Sequence, residues 1–129
     1  MAATVATVGL AVLCAVALAR VQFPSTVTIR FDDGGKVETL RGKVRSAEYA
    51  CVARRKVLIV GDDAATKEKA YFLLGTDRAN RRGRWFVVSK DGGRIPPGRY
   101  YARVKAKEVA GGVCQPDRSP VIAVNTGAL

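Results

Sequence analysis

The chain has 129 residues, and its 22 Lys and Arg set against 11 Asp and Glu give a formal charge of +11, with no His and three Cys. That length suits one domain with a sizeable core, and the missing imidazole excludes Ser-His-Asp and Cys-His catalysis and His-ligated metal sites. Every charged residue lies from Arg20 onward, so the basic surface belongs to the chain beyond the N-terminal segment and suits polyanionic partners.

Residues 1–19 carry no charge. The apolar run Val8–Leu18 has the size of the hydrophobic region of an export signal, and Ala17-Leu18-Ala19 supplies the small residues a signal peptidase needs. Cleavage is expected before Arg20, leaving residues 20–129 as a single domain that is secreted, extracellular or held at the cell envelope. The positive N-terminal region is reduced to the α-amino group, so an uncleaved anchor is the alternative. A membrane span needs about 20 apolar residues, which this segment barely reaches. Leu13 argues against lipid attachment at Cys14, which is expected to leave with the signal.

From Thr26 onward, short β-rich runs alternate with turn signals, the pattern of an antiparallel all-β sandwich of about seven strands. The strands are predicted over Thr26–Phe31, Lys36–Ser46, Lys56–Val60, Lys69–Leu74, Arg84–Ser89, Arg99–Ala106 and Pro120–Val124. Val27, Ile29 and Phe31 share one face of the first, and Tyr101-Ala102-Arg103-Val104-Lys105 has one apolar and one basic face. Val57-Leu58-Ile59-Val60 is continuously apolar and suits a central strand. Asp32-Asp33-Gly34-Gly35 and Lys90-Asp91-Gly92-Gly93 are each expected to close a tight hairpin or short loop, and Pro96-Pro97-Gly98 to break the chain before an aromatic strand. Gly61–Glu68 reads as a long loop or a single helical turn, and Ala110–Arg118 as a loop leading into the last strand.

Cys51 precedes the predicted central strand and Cys114 the last one. In an oxidising compartment they are expected to pair; the alternatives are buried free thiols or a metal pair, and two cysteines without His lack the ligands of a zinc site. The bond would enclose 62 residues and stabilise by roughly 4 kcal/mol in the chain-entropy account. Asp32-Asp33 and Asp62-Asp63 lack the spaced ligand series of a calcium loop and read as turn residues. No metal, cofactor or catalytic residue is expected.

Two clusters are candidates for binding. Arg78, Arg81, Arg82 and Arg84, with Arg54, Arg55 and Lys56 elsewhere, offer forked donors suited to phosphate, sulfate or carboxylate. In the pairs Trp85-Phe86 and Tyr100-Tyr101, one ring of each must face the core, and Trp85 is expected to be buried. Tyr100 and Tyr101 are the candidate aromatic contact.

The order of Cys51, Lys56-Val57-Leu58-Ile59, Asn80-Arg81-Arg82-Gly83-Arg84-Trp85, Pro97-Gly98-Arg99-Tyr100-Tyr101 and Cys114 with Ser119-Pro120-Val121 resembles small secreted actinobacterial domains. These are similar to the carboxypeptidase-regulatory-like and transthyretin-like β-sandwiches, and the likeness spans Gly42–Val124. It implies a turn entering a strand at Asn80–Trp85 and a second strand entered at Pro97-Gly98, and it implies no catalytic residue. The reading is a non-catalytic structural or adhesive module of the cell envelope whose basic surface contacts an anionic polymer or a protein partner, without specific nucleic-acid recognition. The alternative is a small-ligand carrier with a pocket between the sheets. Self-association through an edge strand is a further expectation to weigh.

Overall fold

Alternation of apolar and polar residues sorts the chain into two facing sheets of an all-β sandwich. The computed structural model describes residues 20–34, 37–63, 71–88 and 93–125, and the segment read as an export signal lies outside them. One sheet contains β2 (Thr26–Val27), β3 (Arg30–Asp32), β4 (Thr39–Arg45) and β7 (Arg84–Val88). The other contains β5 (Lys56–Asp63), β6 (Tyr71–Arg78), β8 (Gly98–Val104), β11 (Asp117–Arg118) and β12 (Ile122–Val124). Within β7 and β8, every second residue is buried.

β2 and β3 both pair antiparallel with β4, as two halves of one strand interrupted at Thr28 and Ile29. At the break Thr28 still donates its N–H to Lys43 O at 2.9 Å, but its hydroxyl stands in for its carbonyl and accepts the Lys43 N–H at 3.0 Å. The freed carbonyl turns over Gly42. A Cβ there would lie 1.9 Å from Thr28 O, so no other residue fits without moving the strand. β11 and β12 repeat the device against β8. Ser119 donates its N–H to Ala102 O at 2.8 Å, and its Oγ accepts the Ala102 N–H at 2.8 Å. With each pair of halves joined, the two facing sheets have, among the described residues, the seven strands expected.

The core is formed where these sheets face each other. Leu40, Val44, Trp85 and Val87 meet Ile59, Tyr100, Ala102, Val104 and Val124, all at most 6% exposed, and Phe72 packs edge-on against Tyr100 with ring centres 6.2 Å apart. Each edge of the smaller sheet has one backbone donor taken by an aspartate of the larger sheet. Asp117 on β11 accepts the Val27 N–H at 2.8 Å, and Asp77 on β6 accepts the Phe86 N–H at 2.9 Å. These carboxylates occupy edge donors that would otherwise offer a template for another strand.

Some expectations change. The segment Ala110–Arg118 is not a loop: it contains β10 (Gly112–Cys114) and β11, and β10 pairs antiparallel with β9 (Lys107–Val109) and parallel with β1 (Val21–Phe23) in a third, small sheet. Strands of three residues are too short to show a period. β6 runs past Leu74 to Arg78, through an irregularity that leaves Leu74 between the Gly75 and Leu73 pairings; its predicted start, Lys69, lies outside the described residues. Asp32–Gly34 does enter a β3–β4 hairpin, with Gly34 N–H on Asp32 Oδ1 at 2.9 Å. The Lys90–Gly93 segment, of which only Gly93 is described, closes no hairpin. β7 pairs with β4 and β8 with β5, so this connection crosses between the sheets.

Cys51 and Cys114 form the disulfide, with Cα atoms 5.5 Å apart and both residues fully buried. Its place differs from the expected strand entrances. Cys51 ends a short 3₁₀ turn, Tyr49–Cys51, and Cys114 ends β10, so the bond fastens the small sheet to the link between β4 and β5.

Candidate functional site

The predicted basic cluster is divided among the interior, two surface hollows and an exposed turn. Arg55 is 2% exposed and belongs to the interior, which removes it from the candidate binding surface. Its Nη1 donates to Ser25 Oγ at 3.0 Å and Cys51 O at 2.9 Å, and its Nη2 donates to Lys105 O at 2.8 Å and Gln115 O at 3.0 Å. Burial strips its hydration and lowers its pKa from the ordinary arginine value. The charge is held by carbonyl dipoles around the disulfide. Its sequence neighbours face outward because alternation at the start of β5 places Arg55 alone inside.

The second environment is a groove of about 790 Å³ across the outer face of the smaller sheet. Arg41, Lys43 and Arg45 point outward from β4 in strict alternation with Leu40, Gly42 and Val44. Across the ladder, Arg30 stands opposite Arg41, and Arg84 opposite Lys43. Like charges directly opposite one another in a sheet cost a few tenths to about 1 kcal/mol per pair, and here two such pairs occupy adjacent rows. Arg78 completes the lining from β6. Asp77 is the one acid among the described lining residues, and its carboxylate already accepts the Phe86 N–H. Asp32 reaches Arg41 at 3.6 Å, with both side chains about 40% exposed, a weak surface pair. Phe86, 59% exposed, rises beside Arg41.

Arg78 and Arg84 are legible in sequence as part of a basic cluster; Arg30, Arg41, Lys43 and Arg45 fall outside it. Arg41-Gly42-Lys43-Val44-Arg45 does carry the signal, because a basic residue at every second position puts all three charges on one face of a strand. Arg81 and Arg82 are exposed on the turn between β6 and β7 rather than in the groove lining. That turn is organised by Asn80, whose Oδ1 accepts the N–H groups of Arg82 at 2.9 Å and Arg84 at 3.0 Å. Gly83 closes it at φ +79°, with Val44 O only 2.2 Å from where a Cβ would sit.

The third environment is a smaller hollow of about 280 Å³ on the other sheet, where Arg54, Lys56, Arg78, Lys105 and Lys107 line the wall together with the buried Arg55. Arg54 adopts φ +61°, and Arg78 donates to its carbonyl at 3.2 Å. Arg78 therefore belongs to both hollows.

The aromatic residues divide as alternation requires. Trp85 is buried, with its Nε1 unpartnered, and Tyr100 is fully buried with its hydroxyl donating to Pro96 O at 2.6 Å. Tyr100 therefore leaves the candidate contact surface. Tyr101 faces outward on the larger sheet, beneath the Arg118 guanidinium at 4.3 Å. The exposed aromatic of the groove is Phe86. Of the acidic doublets, Asp62 pairs with Arg99 at 3.2 Å and Asp32 serves its own turn. Among the described residues no group of three or more His, Cys, Asp or Glu converges, and no helix is long and apolar enough to cross a membrane.

No protein-family model, no curated protein and no solved structure matches the chain at a significant level.

Proposed function

We propose that the protein is a non-catalytic β-sandwich module working outside the reducing cytoplasm, as a structural or adhesive element of the cell envelope that holds an anionic polymer. The groove on the smaller sheet is the binding face. The observation that carries this reading is the pair of like-charge rows, Arg30 with Arg41 and Lys43 with Arg84, on a face with little acid to neutralise them. A solvated face with no ligand gains stability by alternating sign, whereas a polyanion turns the same repulsion into attraction. Among the described residues, Trp85, Tyr100 and their neighbours pack together between the sheets, and the proposal rests on the groove. The disulfide and the sequence pattern of residues 1–19, read as an export signal, support the location. The Asn80–Trp85 turn into β7 and the Gly98 entry to β8 support the carboxypeptidase-regulatory-like or transthyretin-like resemblance at the level of local structure.

The test is binding of a heparin-type sulfated polymer and of long-chain polyphosphate at graded salt. The logarithm of the binding constant is expected to fall linearly with the logarithm of salt concentration. Arg41→Ala combined with Lys43→Ala should weaken binding and flatten that slope. Binding that is absent at low salt, or indifferent to these substitutions, would sink the proposal.

A further inference from the structure

The groove on the smaller sheet and the hollow on the larger one share a single residue, Arg78, which lies at the end of edge strand β6 and lines both. The next strand, β7, begins across the five-residue Ala79–Gly83 turn and forms the edge of the smaller sheet. Basic side chains therefore continue around the corner of the sandwich without an intervening acid among the described lining residues, apart from the already engaged Asp77. The order is Arg41, Lys43 and Arg84 on one face, Arg78 at the corner, then Lys56, directly opposite Arg78 in the ladder, and Lys105 on the other face. Cross-strand neighbours lie about 5 Å apart and same-face neighbours along a strand about 7 Å apart, so the path is on the order of 30 Å.

We infer that the two hollows form one continuous track whose ligand is a flexible, linear, phosphate-bearing chain that bends around the β6–β7 corner. This rests on the polyanion reading and adds a selection rule to it. The track passes from the outer face of one sheet to that of the other, which a chain free to bend at each link can follow. A DNA duplex, stiff over about 150 base pairs, lies along one face only. The arginines supply forked contacts to tetrahedral oxyanions, and the exposed Lys56 and Lys105 supply point charges for the chain as it leaves the corner.

The experiment compares the intact protein with Lys56→Ala/Lys105→Ala and with Arg41→Ala/Lys43→Ala, using tripolyphosphate, long-chain polyphosphate and duplex DNA as probes. Neither substitution of the first pair touches the groove. For long-chain polyphosphate, Lys56→Ala/Lys105→Ala is expected to reduce the salt slope by about 1.4, two contacts at about 0.7 each for a flexible single chain. Its effect on tripolyphosphate and on duplex DNA, whose contacts lie in the groove, should be clearly smaller than on the long chain. Arg41→Ala/Lys43→Ala should weaken all three. If Lys56→Ala/Lys105→Ala leaves the long-chain slope unchanged while Arg41→Ala/Lys43→Ala still weakens binding, the single track is wrong and the groove reading stands. Equal loss for duplex and flexible chain would also overturn it. If no probe binds, or Arg41→Ala/Lys43→Ala has no effect, the groove reading itself has failed.

Discussion

Arg55 donates from Nη1 to the carbonyl oxygen of Cys51 at 2.9 Å, while its Nη2 reaches Gln115, the residue after Cys114. One guanidinium thus bridges the backbone on both sides of the disulfide, and it also ties in Ser25 and Lys105. Sulfur and arginine hold the same junction by different means. The bond restricts the unfolded chain, whereas the guanidinium satisfies acceptors that burial has cut off from water.

Replacing Arg55 with Ala leaves four acceptors without their donor, at roughly 1 to 3 kcal/mol for each that water cannot reach. A loss of at least about 3 kcal/mol is expected in urea unfolding, a large part of a small domain's stability. Arg55→Lys should recover little of it, because an ammonium offers three donors and no fork. The affinity of the folded fraction for polyphosphate should change little, since Arg55, although it lies in the wall of the smaller hollow, is 2% exposed and its guanidinium is taken up by Ser25, Cys51, Lys105 and Gln115. A stability within about 1 kcal/mol of the unsubstituted protein would contradict this account.

Removing the disulfide as Cys51→Ala/Cys114→Ala is expected to cost about 2 to 4 kcal/mol, reflecting the loop it closes. Intact mass of exported protein offers an independent reading. It should correspond to a chain beginning at Arg20 and lie two hydrogens below the fully reduced value. Free thiols at these positions would contradict both the bond and the proposed compartment.

Lys43 and Arg84 should trade stability for binding. Lys43→Thr removes one member of a directly opposed cationic pair, so stability at low salt should rise by a few tenths to about 1 kcal/mol. Polyphosphate affinity should fall, and added salt should shrink both differences. With no His in the chain, affinity for a ligand of fixed charge should be nearly flat between about pH 6 and 7. Higher affinity in Lys43→Thr would count against the groove.

Gly83→Ala should be among the most damaging single-methyl additions. Its φ of +79° is unfavourable for an L side chain, and the new carbon would meet Val44 O at 2.2 Å. We expect more than about 2 kcal/mol of destabilisation, from backbone strain together with displacement of the turn. Asn80→Ala, which loses two backbone contacts without a clash, should cost about 1 to 2 kcal/mol. If thermal unfolding ranks the two in the opposite order, the side-chain contacts rather than the Gly83 backbone govern the turn.

Two of the strands that carry the core, β7 and β8, were readable because each has five or more residues in clear alternation. Trp85 and Val87 on β7, and Tyr100, Ala102 and Val104 on β8, follow the period they show in sequence. The small sheet was not readable, since β1, β9 and β10 each have three residues and β1 gains its pairing from a segment about 90 residues away. The candidate site was half readable. Arg78 and Arg84 stand out in a local run, while Arg30 and Arg41 become neighbours only through ladder register.

By itself the sequence determined an all-β sandwich, the two cysteines available to staple it and an excess of cations, because residue period, cysteine chemistry and charge are local properties. Only the tertiary structure decided which cations act together. It took Arg55 inside, where carbonyls replace water, and moved Tyr100 into the core. It also set Arg30 against Arg41 and Lys43 against Arg84 on one face. Pairing register and burial depend on partners distant in the chain, and no local pattern specifies them.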